Sequence, residues 1–179
     1  MIDALSRFYK INLSKGDDFI TIERNLIMLK SYVDIQQMRF VGEFDYIYNV
    51  DPDILQWKIL KLTLQPLIEN ALQHGLGTSG RLEIWIFEDP RRQYGVIIVR
   101  DYGEGLSREK LEELNRPLGA EDSKKTRNGI GLRYVRSMLE TVYGSEAILD
   151  VNSTRGRGTK VTILLPLVRD DGKEGEIFD

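Results

Sequence analysis

Cysteine is absent from the 179 residues. That excludes a disulfide framework and any thiolate zinc site, and it fits a reducing compartment. Histidine is nearly absent. His74 stands alone, so neither a multi-histidine metal centre nor a mechanism needing two imidazoles can be built. Long apolar runs are missing as well: Val96-Ile97-Ile98-Val99 and the stretch Val161 to Leu165 fall far short of the roughly 18–20 residues that a membrane span requires. The first residues show no basic region followed by an apolar stretch, so no signal peptide is expected. A cytoplasmic location, without membrane contact by these residues themselves, is the expectation. There is no basic surplus either. The formal net charge is −3, and a binder of duplex nucleic acid would carry the opposite sign.

What remains is an ordinary soluble composition, 41% hydrophobic, in a chain long enough for one domain plus an additional element. Thr21 is placed to cap a helix, with Glu23 in its first turn where the helix dipole favours a carboxylate. Ile22, Leu26, Leu29 and Val33 then recur at helical spacing, predicting an amphipathic helix over 22–39. Phe44, Tyr46 and Tyr48 alternate with polar residues and predict a strand at about 43–50. Asp51-Pro52 reads as a helix start. A further helix is expected from about Leu62 to His74, with Pro66 tolerated in its first turn and Gly75 and Gly77 stopping it. Arg81 to Glu88 and the nearly wholly apolar Tyr94 to Arg100 read as strands joined by a turn.

Ser107 is placed to cap a short helix ending near Asn115. Residues 116–128 are polar and irregular, a mobile loop. Ile130 to Tyr143 shows Leu132, Val135, Leu139 and Val142 on one helical face. Glu146 to Val151 and Thr159 to Leu167 are expected strands, followed by an acidic, disordered tail over 169–179. The layout predicts an α+β, two-layer α/β sandwich: a mixed, mostly antiparallel sheet with helices on one face, plus an N-terminal helix. The apolar stripe of that helix suits a dimer contact or packing onto the sandwich equally.

Four short stretches carry candidate chemistry. In Leu64 to Gly75, Glu69, Asn70, Gln73 and His74 fall on adjacent helical positions. A carboxamide oxygen beside a carboxylate is a hard-oxygen setting that suits Mg²⁺, although a solvent-facing polar stripe has the same pattern. Asp101-Tyr102-Gly103-Glu104-Gly105 leaves a buried strand. A carboxylate there can accept from an exocyclic amine such as that of adenine, and glycines let backbone approach a flat ligand; a plain turn is the alternative. Asn128-Gly129-Ile130-Gly131-Leu132 opens a helix, where exposed N–H groups and the positive dipole end form an anion site, or simply a closely packed helix start. Arg155-Gly156-Arg157-Gly158-Thr159 stands between the last two strands and is by itself a hairpin turn. Neither a P-loop nor a Rossmann glycine fingerprint is present.

Taken in this order, the four stretches resemble the N box and the three glycine boxes of the ATP-binding fold shared by histidine kinases, gyrase, Hsp90 and MutL, over about residues 43–168. Phe19 to Glu23, Tyr32 to Phe40 and Leu62 to Asn70 look like the LytS/YesM type of sensor histidine kinase. In that family a Pro-His-Phe motif upstream holds the phosphoacceptor. No such motif occurs here, so residues 1–42 are expected to be the later part of the dimerisation and phosphoacceptor region.

The resemblance implies ATP and Mg²⁺ as cofactors. Asn70 would ligate the metal, Asp101 would read the adenine amine, and Gly103 and Gly105 would floor the base pocket. Gly129 and Gly131 would hold phosphate oxygens on backbone N–H groups, His74 and Leu132 would belong to the nucleotide site, Gly158 and Thr159 would close the pocket, and residues 106–128 would form a lid. Glu69 is the candidate general base. The implied partners are the phosphoacceptor domain of the parent kinase and a response regulator, with homodimerisation of the full-length protein. Gln73, Arg127 and Tyr134 depart from the family pattern, and Lys124, Lys125, Arg127 and Arg133 could add compensating charge. Two other readings share the pattern: an anti-sigma-like regulator that grips a partner in its ATP-bound form, and an ATPase of the gyrase or MutL sort. The N-terminal 42 residues argue against the first. The lack of room for a transducer domain argues against the second.

Overall fold

A computed structural model describes residues 18–39, 45–74, 80–91, 94–116 and 130–167. The expectations for residues 1–17, the stop at Gly75 and Gly77, the loop beyond Arg116 with Lys124, Lys125 and Arg127, and the acidic tail lie outside the described residues.

Strand β1 (Phe19–Thr21) leads directly into helix α1 (Ile22–Arg39). Thr21 caps the helix as its chemistry requires, its Oγ1 accepting from Arg24 N–H at 3.2 Å. β2 (Asp45–Val50) follows, then one 3₁₀ turn at Pro52–Ile54. That turn is all that Asp51-Pro52 starts: Asp51 Oδ1 accepts from Asp53 N–H, and the chain moves straight into β3 (Lys58–Leu60). Helix α2 spans Leu64–His74 with Pro66 in its first turn. Its start falls two residues later than expected, because Thr63 is buried with its hydroxyl donating to the Leu60 carbonyl.

β4 (Arg81–Asp89) and β5 (Tyr94–Asp101) form an antiparallel pair. Helix α3 (Arg108–Asn115) is capped by Ser107, as its sequence position foretells, and α4 covers Ile130–Tyr143. Gly144, at φ +58°, ends α4 in the left-handed region. A 3₁₀ turn then occupies 144–146, so β6 runs Ile148–Thr154 rather than from Glu146. β7 is Gly158–Pro166.

The main sheet has the order β2-β4-β5-β7-β6, with β2 parallel to β4 and the other pairs antiparallel. Alternation decides its faces. Ile84, Ile86, Ile97, Val161, Ile163 and Val151 are buried and share one side. Helix α2 packs there on β5 and α4, and α3 packs against β6. The opposite face keeps Ile47, Trp85, Phe87 and Ile148 partly in solvent. β1 and β3 pair separately as a two-stranded antiparallel sheet. Three residues per strand are too few for a period-2 pattern to register in the sequence.

Helix α1 folds onto the sandwich. Ile22, Leu29 and Val33 are buried in the same apolar cluster as the sheet and α2, each burial stabilising by about 1.5–3 kcal/mol. Backbone bonds from Ile22 to Trp57, Glu23 to Leu55 and Lys61 to Asp18 fasten its start. Ile27 and Met28 stay on its solvent side, 62% and 38% exposed.

The outward edge of β6 is occupied by side chains. The Asn115 carboxamide accepts from Val151 N–H at 3.0 Å and donates to the Val151 carbonyl at 2.7 Å. One residue pair away, Arg136 donates to the Leu149 carbonyl at 2.9 Å.

On β2, the Tyr48 hydroxyl is buried with no hydrogen-bond partner among the described residues. Burial, then the neighbouring Tyr46 and Asp34, push its phenol up to about 12. Tyr48→Phe is therefore expected to raise stability by about 1 kcal/mol at neutral pH, since it removes an unsatisfied polar group. The wild-type phenol ionises near 10 when unfolded and only near 12 when folded. Ionisation therefore costs the wild type nothing below pH 10, and its stability falls as pH climbs from 10 through 12, where the unfolded phenol ionises first. Thermal melts of both proteins from pH 7 to 11 should show the variant losing less over the alkaline limb. A lower melting temperature for the variant at pH 7 would contradict this account.

Candidate functional site

Asp101 is the last residue of β5 and is 5% exposed. One oxygen, Oδ1, accepts from Gly103 N–H at 3.0 Å and from Thr159 N–H at 3.1 Å. Two backbone donors thus hold the carboxylate of the first glycine stretch against the start of β7. The glycines make that approach sterically feasible. Gly158 has φ +88°, and a Cβ there would be driven into the Asp101 carbonyl oxygen; Gly105 has φ +68°, and a Cβ there would strike the Thr154 carbonyl. Neither position accepts an L side chain. Gly156 N–H donates to the Glu104 carbonyl at 2.7 Å, closing the same junction from its outer side. Two sequence stretches some fifty residues apart are therefore one surface.

Helix α2 supplies the polar row. Leu67, Ile68, Ala71 and Leu72 are buried, and Glu69 and Asn70 are half-buried between core and solvent. Gln65, one turn earlier, donates from Nε2 to Glu69 Oε1 at 2.8 Å and fixes that carboxylate. Gln73 is exposed, and His74 is the last helical residue, its side chain lying outside the description. Among the described residues no three His, Cys, Asp or Glu side chains gather into a metal cage. Mg²⁺ does not need one, because it retains waters and takes one or two protein oxygens beside phosphates. The carboxamide oxygen of half-buried Asn70 is of the kind that demand calls for.

Gly131 is the second residue of α4, set against Pro66 of α2. A Cβ there would only reach ordinary contact distance, 3.8 Å from Pro66, so protein packing alone does not dictate glycine. Leu132 is 1% exposed. Its side chain belongs to the core, and only its backbone is left to meet a ligand. Gly129 lies outside the described residues. Arg133 forms an ion pair with Glu113 at 3.6 Å, and Lys110 meets the same carboxylate at 2.9 Å. Tyr134 is half-buried, and burial pushes its phenol up.

Sequence reasoning missed two supports. Tyr102, between Asp101 and Gly103, has the Arg100 guanidinium 4.5 Å and the Arg81 guanidinium 5.6 Å from its ring centroid, a favourable placement of cation over aromatic face. Arg81 also pairs at 2.7 Å with Glu83, a buried residue. The phenol of Tyr102 is pushed up by burial and by its hydrogen bond to Glu83. The second is Ser153, which faces Thr159 across the last hairpin. The three-residue turn Arg155-Gly156-Arg157 was the available signal for that pairing.

Comparison with known proteins places this geometry. Residues 57–169 match the family described as histidine kinase-, DNA gyrase B-, and HSP90-like ATPase, and residues 1–44 match the histidine kinase family. Sensor protein LytS of Oceanobacillus iheyensis is 31% identical over 165 residues, covering 90% of this chain and 28% of that protein. Sensor protein kinase HptS of Staphylococcus aureus is 30% identical over 169 residues, 94% of this chain and 32% of that protein. The chain thus spans about a third of the length of these relatives. Among solved structures, the catalytic domain of histidine kinase ThkA aligns with TM-score 0.60 at 16% identity, over 85% of this chain and 97% of that one. The mycobacterial sensor histidine kinase MprB aligns at 0.58 and 15% identity, over 85% and 98%.

Proposed function

The chain belongs to the family of histidine kinase-, DNA gyrase B- and HSP90-like ATPases, and from that membership we propose that it is the ATP-binding catalytic domain of a LytS-type sensor kinase, transferring the γ-phosphate to a histidine of the parent protein. The observation that carries the reading is the Asp101 carboxylate, buried and held by the N–H groups of Gly103 and Thr159. A fixed, buried acceptor at the end of a strand, floored by glycines, suits the exocyclic amine of adenine. The match of residues 1–44 to the histidine kinase family favours the kinase over an anti-sigma-like regulator.

In this reading Asp101 orients the base, and Gly103, Gly105 and Gly158 keep the floor open to it. The N-terminus of α4, with Gly129, Gly131 and the backbone of Leu132, receives the phosphates beside His74. Asn70 would hold Mg²⁺, which when bound supplies positive charge against the phosphates. Glu69, steadied by Gln65, stands as the base. An imidazole nitrogen attacks the γ-phosphorus, the bond from phosphorus to the bridging oxygen of ADP breaks, and the proton of the other ring nitrogen passes to Glu69. Positioning and charge neutralisation make up most of such catalysis.

Residues 1–42 would link the catalytic domain, residues 43–168, to the phosphoacceptor helix. A response regulator would take the phosphoryl group onward, and the full-length protein would act as a homodimer. No described helix is long and apolar enough to cross a membrane; a cytoplasmic position for this domain is part of the proposal.

The test is calorimetric titration with a non-hydrolysable ATP analogue, with and without Mg²⁺, followed by transfer of labelled γ-phosphate to a supplied phosphoacceptor domain. Binding tightened at least about tenfold by Mg²⁺, with labelled phosphohistidine formed, is the expected result. Folded protein that binds no analogue would overturn the reading. Tight binding without transfer, together with nucleotide-dependent capture of another protein, would favour the regulator.

A further inference from the structure

The hydroxyl of Ser153 lies where three segments meet. It accepts from Leu106 N–H at 2.8 Å, donates to the Gly158 carbonyl at 2.9 Å and stands 3.0 Å from Thr159 Oγ1. A hydroxyl has one proton and two lone pairs. Leu106 takes one lone pair and Gly158 takes the proton. The one capacity left on Ser153 is a second lone pair, so its contact with Thr159 is a bond that Thr159 donates.

This settles the behaviour of a second hydroxyl. With its proton committed to Ser153, Thr159 Oγ1 can only accept from any further partner. Thr159 is 6% exposed and gives its backbone N–H to Asp101, so its side chain adjoins the carboxylate proposed to read the base. Asp101, ionised, is an acceptor too. The pocket wall at this point thus presents acceptors alone.

We propose that Ser153 is a positioning residue for base specificity: by holding the Thr159 proton it keeps the wall acceptor-only, favouring a 6-amino purine over a 6-oxo purine. The inference rests on the reading of this pocket as a nucleotide site. A 6-amino group brings donors to the wall, whereas a 6-oxo group brings an acceptor to face acceptors. Without Ser153, the Thr159 proton is released and can turn toward a 6-oxo oxygen. The bond to Leu106 gives Ser153 a second effect, because Leu106 leads into α3 and the segment expected to cover the nucleotide. Losing that bond weakens all nucleotides alike.

The two effects separate experimentally. Wild type, Ser153→Ala, Ser153→Cys and Ser153→Thr are titrated calorimetrically with ADP and with IDP in the presence of Mg²⁺. Wild type should prefer ADP. Ser153→Ala should lower the ADP-to-IDP affinity ratio about tenfold, the scale of one exchanged hydrogen bond. Ser153→Cys keeps nearly the same shape with a much weaker acceptor for the Thr159 proton and should move the ratio the same way, which guards against a misfolded alanine variant. Ser153→Thr restores the hydroxyl and should restore the wild-type ratio. Equal weakening of ADP and IDP in the alanine and cysteine variants, with the ratio unmoved, would make Ser153 structural only and overturn the proposal. A wild type that binds neither nucleotide would overturn the nucleotide reading, and the inference with it.

Discussion

Asp101→Asn is expected to abolish binding of an ATP analogue while leaving the fold intact. The two parts of this expectation come from the two oxygens of one side chain. Oδ1 accepts both backbone N–H groups, from Gly103 and Thr159, and the oxygen of a carboxamide can keep both bonds. The junction between the first glycine stretch and β7 should therefore survive, and the melting temperature should stay within a few degrees of wild type. In place of the second oxygen stands an NH₂, a donor facing the donor of the adenine amine. A charge-assisted bond is exchanged for a donor–donor conflict in a buried position, which amounts to at least about 3 kcal/mol, a loss of about a hundredfold or more in affinity. Calorimetry and a thermal melt on the same preparation read both parts. Retained binding would show that the base is read elsewhere. A collapsed melting temperature would instead make Asp101 chiefly a structural clasp.

Glu69→Gln should give the complementary result: nucleotide affinity within about twofold of wild type, and phosphoryl transfer reduced by roughly 10²–10⁴, the range for removal of a general base. Glu69 is half-buried on α2, and its Oε1 is held by Gln65 at 2.8 Å. A glutamine there can still offer a carbonyl oxygen to Gln65, so the helix surface stays satisfied while the capacity to take a proton is lost. The measurement is single-turnover transfer of labelled γ-phosphate to a supplied phosphoacceptor domain, beside calorimetry with the non-hydrolysable analogue. Transfer near the wild-type rate would remove Glu69 from the chemistry. A matching fall in affinity would move it from proton transfer to nucleotide binding.

Helix boundaries were legible where one residue carries a local physical requirement. Thr21 and Ser107 had to cap and Pro66 had to sit in a first turn; the structure shows all three. Sheet order followed less directly, since long-range pairing leaves only weak traces in alternation, and β1 and β3 left none. Within the site, the residue types were readable but their joining was not. Nothing local to Gly158 says that its missing Cβ makes room for the Asp101 carbonyl. Ser153 was silent because its importance lies in three partners, one of them 47 residues away. Leu132 stands in a glycine-rich helix start, yet its side chain answers to the apolar period of α4 and faces the core. The stripe on α1 fitted two surfaces equally in sequence, and the burial of Ile22, Leu29 and Val33 shows that it covers the sandwich.

Asn115 and Arg136 bear on how the protein behaves in a crowd. A strand at the border of a sheet offers unpaired N–H and C=O groups, an open template for another chain. On β6 those groups are already engaged at Val151 and Leu149 by side chains from the two neighbouring helices. A carboxamide that accepts and donates at one residue imitates the strand that could otherwise attach. The sheet is thereby closed to growth from this side without being rolled into a barrel. A domain with such a border can stay monodisperse there even when many copies share a small volume.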